Sequence, residues 1–122
     1  MASSVRHNSR ASSAQRAPPG AVVPVFAALG DETRLRVVAR LTEEGPLSIA
    51  KLTEGSHLTR QAMTKHLRVL SAAGLLRGRR EGRENVFEFE PRRLAEARGY
   101  LARISEHWDA TLERLRAFVE DE

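Results

Sequence analysis

Residues 58–76, LTRQAMTKHLRVLSAAGLL, hold the side chains of this sequence whose types and spacing could do chemistry. On a helical wheel of about 100° per residue, Met63, Leu67 and Leu70 share one face, with His66 at its edge. Gln61, Thr64, Lys65 and Arg68 lie opposite, and Arg60 sits at the N-terminal end. These side chains suit base edges in a major groove. Arg and Lys pair with guanine O6 and N7, Gln pairs with adenine N6 and N7, and Thr meets an edge or the thymine methyl. No Asp or Glu occurs from Ser56 to Arg80. Nothing along the helix therefore repels phosphate, and its N-terminus attracts it. A solvated basic face is the plain alternative, yet it leaves the acid-free run unexplained in a chain with 16 acidic residues. The pattern predicts a helix laid in the groove of double-stranded DNA, with Thr59, Arg60, Gln61, Thr64, Lys65 and Arg68 as its contacts.

Arg79, Arg80 and Arg83 gather around Gly82 as a second basic group. Arginine is drawn to the negative potential of a narrow minor groove, so these three extend the expected contact with DNA. Simple solubilising charge is the other reading, for them and for Arg77. The wider charge pattern agrees with DNA. Residues 56–85 carry seven basic side chains against two acids, whereas residues 86–122 carry a net −3, and the whole chain is +4. A local excess of this kind predicts a polyanion partner. No aromatic residue is interleaved in the basic block, which argues against single-stranded or RNA stacking.

Composition narrows the classes further. A length of 122 residues suits one domain. There is no Cys, which rules out disulfides, thiolate metal sites and thiol redox sensing within these residues. No apolar run approaches the roughly 18 residues of a membrane span. The opening MASSVRHNSRASSAQRAPPG lacks the apolar core of a secretory signal. A cytoplasmic protein with no membrane partner is expected. There is no nucleophile elbow, glycine-rich phosphate loop or paired His ligand set, so no catalytic residue, no cofactor and no enzyme activity are predicted.

The elements that must position these groups follow from caps and periods. Residues 1–20 read as a disordered basic tail, and residues 21–122 as one domain. Val22, Val25, Phe26 and Leu29 make a helical stripe stopped by Gly30. Asp31 caps a second helix with Leu35, Val38 and Leu41 on its apolar side, ended by Gly45-Pro46. Ser48 caps a short helix ended by Gly55, and Thr59 caps the helix that runs to Gly74. Short helix, turn and longer helix make a helix-turn-helix. Leu75–Arg79 and Val86–Phe89 read as strands, with Arg80–Glu84 as their loop. The fold class is mainly α with a small β-hairpin: a winged helix-turn-helix.

From Pro91 to about residue 120 the chain reads as one long helix. Leu94, Leu101, Trp108 and Leu115 recur every seven residues, and Ala97, Ile104, Thr111 and Phe118 fill the other seam position. A lone helix at the edge of a small domain cannot use so long a seam, so a homodimerisation helix is expected. Packing back onto its own core is the alternative.

The segments FAALGDETRLRVVARL, TRQAMTKHLRVLSAAGLL and EGRENVFEF resemble the ArsR/SmtB-type winged-helix repressors over about residues 24–118. The resemblance implies a homodimer through the first and last helices, which adds Val25 and Phe26 to Leu94, Ala97, Leu101, Ile104, Trp108 and Leu115. It also implies two recognition helices reading an inverted repeat, and repression of a promoter, often the repressor's own, relieved by an effector. One metal-site type of the family uses cysteines in the short helix, where this chain has Ser48 and Ala50. Another uses Asp and His pairs in the last helix, where His107 stands with Glu106 and Asp109, both poorly spaced for it. The resemblance is to the branch without metal ligands. His66 matches the family's usual His and is expected to pack and bond near the backbone. Trp108 is expected at the interface, and the lining of a pocket for a small organic effector is its other reading. A metal-responsive repressor using the last-helix His and carboxylates, and a non-specific nucleic-acid binder, are the alternatives.

Overall fold

The computed structural model describes residues 19–121. The basic tail expected over residues 1–20 lies outside them, apart from its last two positions. Those two belong to a helix: α1 spans Pro19–Leu29 and opens three residues before Val22. Proline is at home in a first turn, where its missing N–H is not needed. The chain continues with α2 (Glu32–Glu44), β1 (Leu47–Ser48), α3 (Ile49–Glu54), α4 (Arg60–Ala72), β2 (Leu76–Glu81), β3 (Glu84–Phe89) and α5 (Pro91–Glu120).

Three helices start on the caps that the sequence predicts. The Asp31 carboxylate accepts from Arg34 N at 3.0 Å, Ser48 Oγ from Lys51 N at 3.1 Å, and Thr59 Oγ1 from Ala62 N at 3.1 Å. Helix α4 ends on a glycine for a definite reason. Gly74 has φ +81°, and the chain closes the helix by Gly74 N→Ser71 O and Leu75 N→Leu70 O bonds, both 3.0 Å. This pair of bonds needs a left-handed residue at that position, and a Cβ there would also meet Arg93 Cγ at 2.7 Å.

The core gathers Val22, Val25 and Ala28 of α1, Val37 and Leu41 of α2, and Met63, Leu67 and Leu70 of α4, with Leu52, Leu75 and Ala97. The apolar side of α2 differs from the expected one: Leu35 is 51% exposed, and Val37 is buried in its place. The inward row runs Arg34, Val37, Val38 and Leu41, with Val37 and Leu41 buried and Arg34 and Val38 half-buried.

The sheet is antiparallel in the order β1-β3-β2. β2 and β3 pair from Leu76↔Phe89 to Glu81↔Glu84. Arg80, Glu81 and Glu84, expected in the loop, are therefore strand residues, and the connection is only Gly82-Arg83. Gly82 has φ +61°, and no non-glycine residue among those described has positive φ. That is the pattern of a type II′ hairpin, which glycine at its first position permits. β1, with no counterpart in the sequence reading, pairs Leu47 with Phe87 and Ser48 with Val86, covering an edge of β3.

α5 changes character along its length. Ala97 is buried, and Leu94 and Tyr100 are half-buried against the core. Beyond them Leu101, Ile104, Trp108 and Leu115 are 52%, 39%, 58% and 56% exposed.

Candidate nucleic-acid interface

The turn before α4 is held from both sides. Arg40 Nη1 donates to Lys51 O and Leu52 O, both at 3.3 Å, closing the end of α3. The Ser56 hydroxyl donates to Thr53 O at 3.1 Å and accepts from Leu58 N at 3.2 Å. Gly55 leaves the room that the guanidinium needs, since a Cβ there would lie 2.5 Å from Arg40 Nη1. This fixes where Thr59 begins α4.

Met63, Leu67 and Leu70 are buried, so the opposite face of α4 is turned outward. Arg60, Gln61, Lys65 and Arg68 are exposed on it. None of these cations has an ion pair among the described residues. Thr64 is partly withdrawn. Its hydroxyl donates to Arg60 O at 2.8 Å, so it offers its methyl and lone pairs outward. The Thr59 oxygen is engaged as the cap.

The wing arginines divide by face, because neighbours along a strand point to opposite sides. Arg77 and Arg79 share a face with Glu88. Arg77 Nη2 lies 2.8 Å from Glu88 Oε1. Arg79 reaches Glu81 at 2.8 Å and Glu88 at 3.2 Å. The Arg77 hydrogen bond, ahead of the Coulomb attraction of Arg77 and Arg79, holds the Glu88 carboxyl below its ordinary range. Arg80 projects from the other face and Arg83 from the turn, both exposed and without an ion pair among the described residues. Of the three wing residues expected at DNA, the geometry leaves Arg80 and Arg83 open and engages Arg79 with carboxylates.

His66 does not join the outward face. Its Nδ1 lies 3.2 Å from Arg34 Nη1. Sequence reasoning missed Arg34. The signal was its place, three residues before Val37 and seven before Leu41, on the buried side of α2. The residues expected at a dimer interface also divide. Val25 and Ala97 are each 1% exposed and have little surface left to give. Phe26 and Leu94 are partly buried against the core, and Leu101, Ile104, Trp108 and Leu115 are open. Among the described residues no three His, Asp or Glu side chains come together to hold a metal. No helix there is long and apolar enough to cross a membrane.

A short helix, a fixed turn, an outward cationic helix and a two-stranded wing define a winged helix-turn-helix. Residues 29–79 match a family described as a helix-turn-helix domain. HTH-type transcriptional regulator Rv2034 of Mycobacterium tuberculosis is 34% identical over 95 residues, covering 78% of this chain and 85% of the relative. The arsenical resistance operon repressor of Escherichia coli K12 is 31% identical over 97 residues, covering 80% of each. A solved ArsR-like transcriptional regulator from Rhodococcus sp. RHA1 superposes with a TM-score of 0.71 at 32% identity, covering 81% of this chain and 92% of that one. The chain belongs to the ArsR family of winged helix-turn-helix regulators. It is a DNA-binding transcriptional regulator, not an enzyme.

Proposed function

We propose that the chain is a homodimeric repressor that binds an inverted repeat near a promoter, its own included. The observation that carries this reading is the outward face of α4, where Arg60, Lys65 and Arg68 stand with Gln61 and without an acidic neighbour. Gln61, Lys65 and Arg68 read bases, Thr64 meets a thymine methyl, and Arg60 binds phosphate beside the helix N-terminus. Arg80 and Arg83 flank the duplex through the wing. The uncovered stripe on α5 supports the dimer, since an apolar patch of that length calls for cover. A two-fold dimer presents two α4 helices to successive turns of DNA. The chain's likeness to the arsenical resistance operon repressor of Escherichia coli favours repression over activation.

The effector on this reading is not a metal. The chain has no Cys, so the thiolates that soft ions prefer are not available, and His107 has no converging partners among the described residues. A small organic molecule held beside Trp108, between terminal helices, is the class that this leaves. The test is footprinting on the DNA upstream of the chain's own gene, with sedimentation of the free protein and run-off transcription from that promoter. A protected inverted repeat, a dimer and reduced transcription are expected. A monomer, or binding indifferent to sequence, overturns the proposal.

A further inference from the structure

His66 leaves α4 toward the first two helices. Its Nδ1 lies 3.2 Å from Arg34 Nη1 and 3.9 Å from Asp31 Oδ2. The same guanidinium donates from Nε to Ala28 O at 2.6 Å and from Nη2 to Ala27 O at 3.5 Å. Its own backbone N–H is held by the Asp31 carboxylate at 3.0 Å, and that N–H is the leading cause of an Asp31 carboxyl lowered from its ordinary range. One planar group thus joins the last carbonyls of α1, the first turn of α2 and a ring on α4. Arginine has donors only, so the bond forms with the His66 tautomer whose Nδ1 accepts and whose ring hydrogen is on Nε2.

What else sets the rotation of α4? Its buried face, Met63, Leu67 and Leu70, is apolar, and apolar burial is non-directional. It decides which side of the helix turns outward, and a directional bond is what can hold the finer angle about the helix axis. The Arg34–His66 bond is directional, and His66 directly follows Lys65, one of the proposed reading residues. A small rotation of α4 would carry Gln61, Lys65 and Arg68 off the base edges while still leaving cations near phosphate.

We infer that Arg34 and His66 are a positioning pair that touches no base and sets how sharply α4 discriminates sequence. The pair rests on the proposed reading of bases by the outer face of α4. It also ties α4 to α1, the helix packed against α5.

The test compares fluorescence anisotropy on the footprinted operator and on a scrambled duplex, using the full chain well below its melting temperature. His66→Leu removes the acceptor. His66→Asn restores an amide oxygen where Nδ1 stood. His66→Leu should lower operator affinity roughly tenfold, the worth of one partly buried hydrogen bond lost, with scrambled binding unchanged. His66→Asn should recover most of the loss. Arg34→Lys keeps the charge but lacks the fork that spans Ala28 and His66; it should lower the operator-to-scrambled ratio likewise, and it carries the test if His66→Leu does not fold. Combined Arg34→Lys and His66→Leu should cost no more than the worse single change. The pair is overturned if the variants keep the wild-type ratio, if both duplexes weaken in proportion, or if His66→Asn is as poor as His66→Leu. A wild-type chain that binds both duplexes equally overturns the base-reading proposal, and the pair's role with it.

Discussion

α4 and α5 are both amphipathic helices, and the chain treats their apolar stripes in opposite ways. In α4 the stripe is spent inside the protein, and the outward charges, Arg60, Lys65 and Arg68, are all cationic and have no ion pair among the described residues. In α5 only the first third is drawn in, through Leu94, Ala97 and Tyr100, and the rest lies bare. Covering the part of Leu101, Ile104 or Phe118 still exposed contributes on the order of 1 kcal/mol each, so several of them left in water are a standing drive toward association. The difference teaches that periodicity identifies a face that needs cover without saying what covers it. The outer face supplies the missing information. An outer face free of carboxylates, as on α4, points to a polyanion. One that mixes Arg103, Glu106, Asp109 and Arg114, as on α5, points to water.

The largest expected effect breaks the α5 side of this comparison. Leu101→Asp with Ile104→Asp should give a monomer by sedimentation, because a buried unpaired carboxylate is costly. Both positions are exposed in the single chain, so circular dichroism should show the fold intact. Operator affinity should fall roughly 10²–10⁴-fold as the two half-sites lose their linkage. A dimer that survives both changes sinks the interface. The matching change in α4 behaves differently. Leu70 is fully buried, so Leu70→Ala should cost about 2–5 kcal/mol in a urea melt, with the dimer retained in whatever remains folded.

Much of this arrangement was legible in the sequence, for reasons of range. Asp31, Ser48 and Thr59 cap their helices through bonds three residues long, so local spacing suffices to find them. The buried face of α4 is a strict three-and-four pattern. β1 was not legible, because two residues have no period and exist as a strand only through pairing with Val86 and Phe87. The wing strands run further than expected because Arg80, Glu81 and Glu84 look like loop residues. Near the tip both faces of the hairpin meet solvent, no apolar alternation marks them, and backbone pairing alone extends the strands. The Arg34–His66 bond spans 32 residues, so no window reading could find it. Its trace was an arginine on a buried row, with Leu35, the more apolar choice, turned outward.

A smaller effect sharpens the α4 side. Gln61 is exposed on the outer face, and a bidentate base contact discriminates by about 1–3 kcal/mol. Gln61→Ala should weaken operator binding by that much and leave a scrambled duplex nearly unaffected. Equal weakening on both duplexes would remove Gln61 from the reading set.

The smallest effect separates two arginines four residues apart on the wing. Arg79 is flanked by Glu81 and Glu88, whereas Arg83 at the turn has no ion pair among the described residues. Counterion release depends on the cations that neutralise phosphate, with a slope of about −0.9 for each contact. Arg83→Ala should therefore reduce the salt slope by about one unit per protomer and weaken operator and scrambled DNA alike, most strongly at low salt. Arg79 already has its charge balanced by two carboxylates, and exposed ion pairs of this kind are worth little to stability. Arg79→Ala should then leave the fold intact and shift the slope far less. It also leaves Glu81 unpaired, whose charge would repel the duplex, while Glu88 keeps Arg77, so any loss of affinity should vanish in Arg79→Ala combined with Glu81→Gln. Anisotropy titrations at several salt concentrations decide the matter. Equal slope changes for the two single variants would mean that Arg79 leaves its carboxylates to meet phosphate, and that the two faces of the wing are not divided in the way their ion pairs indicate.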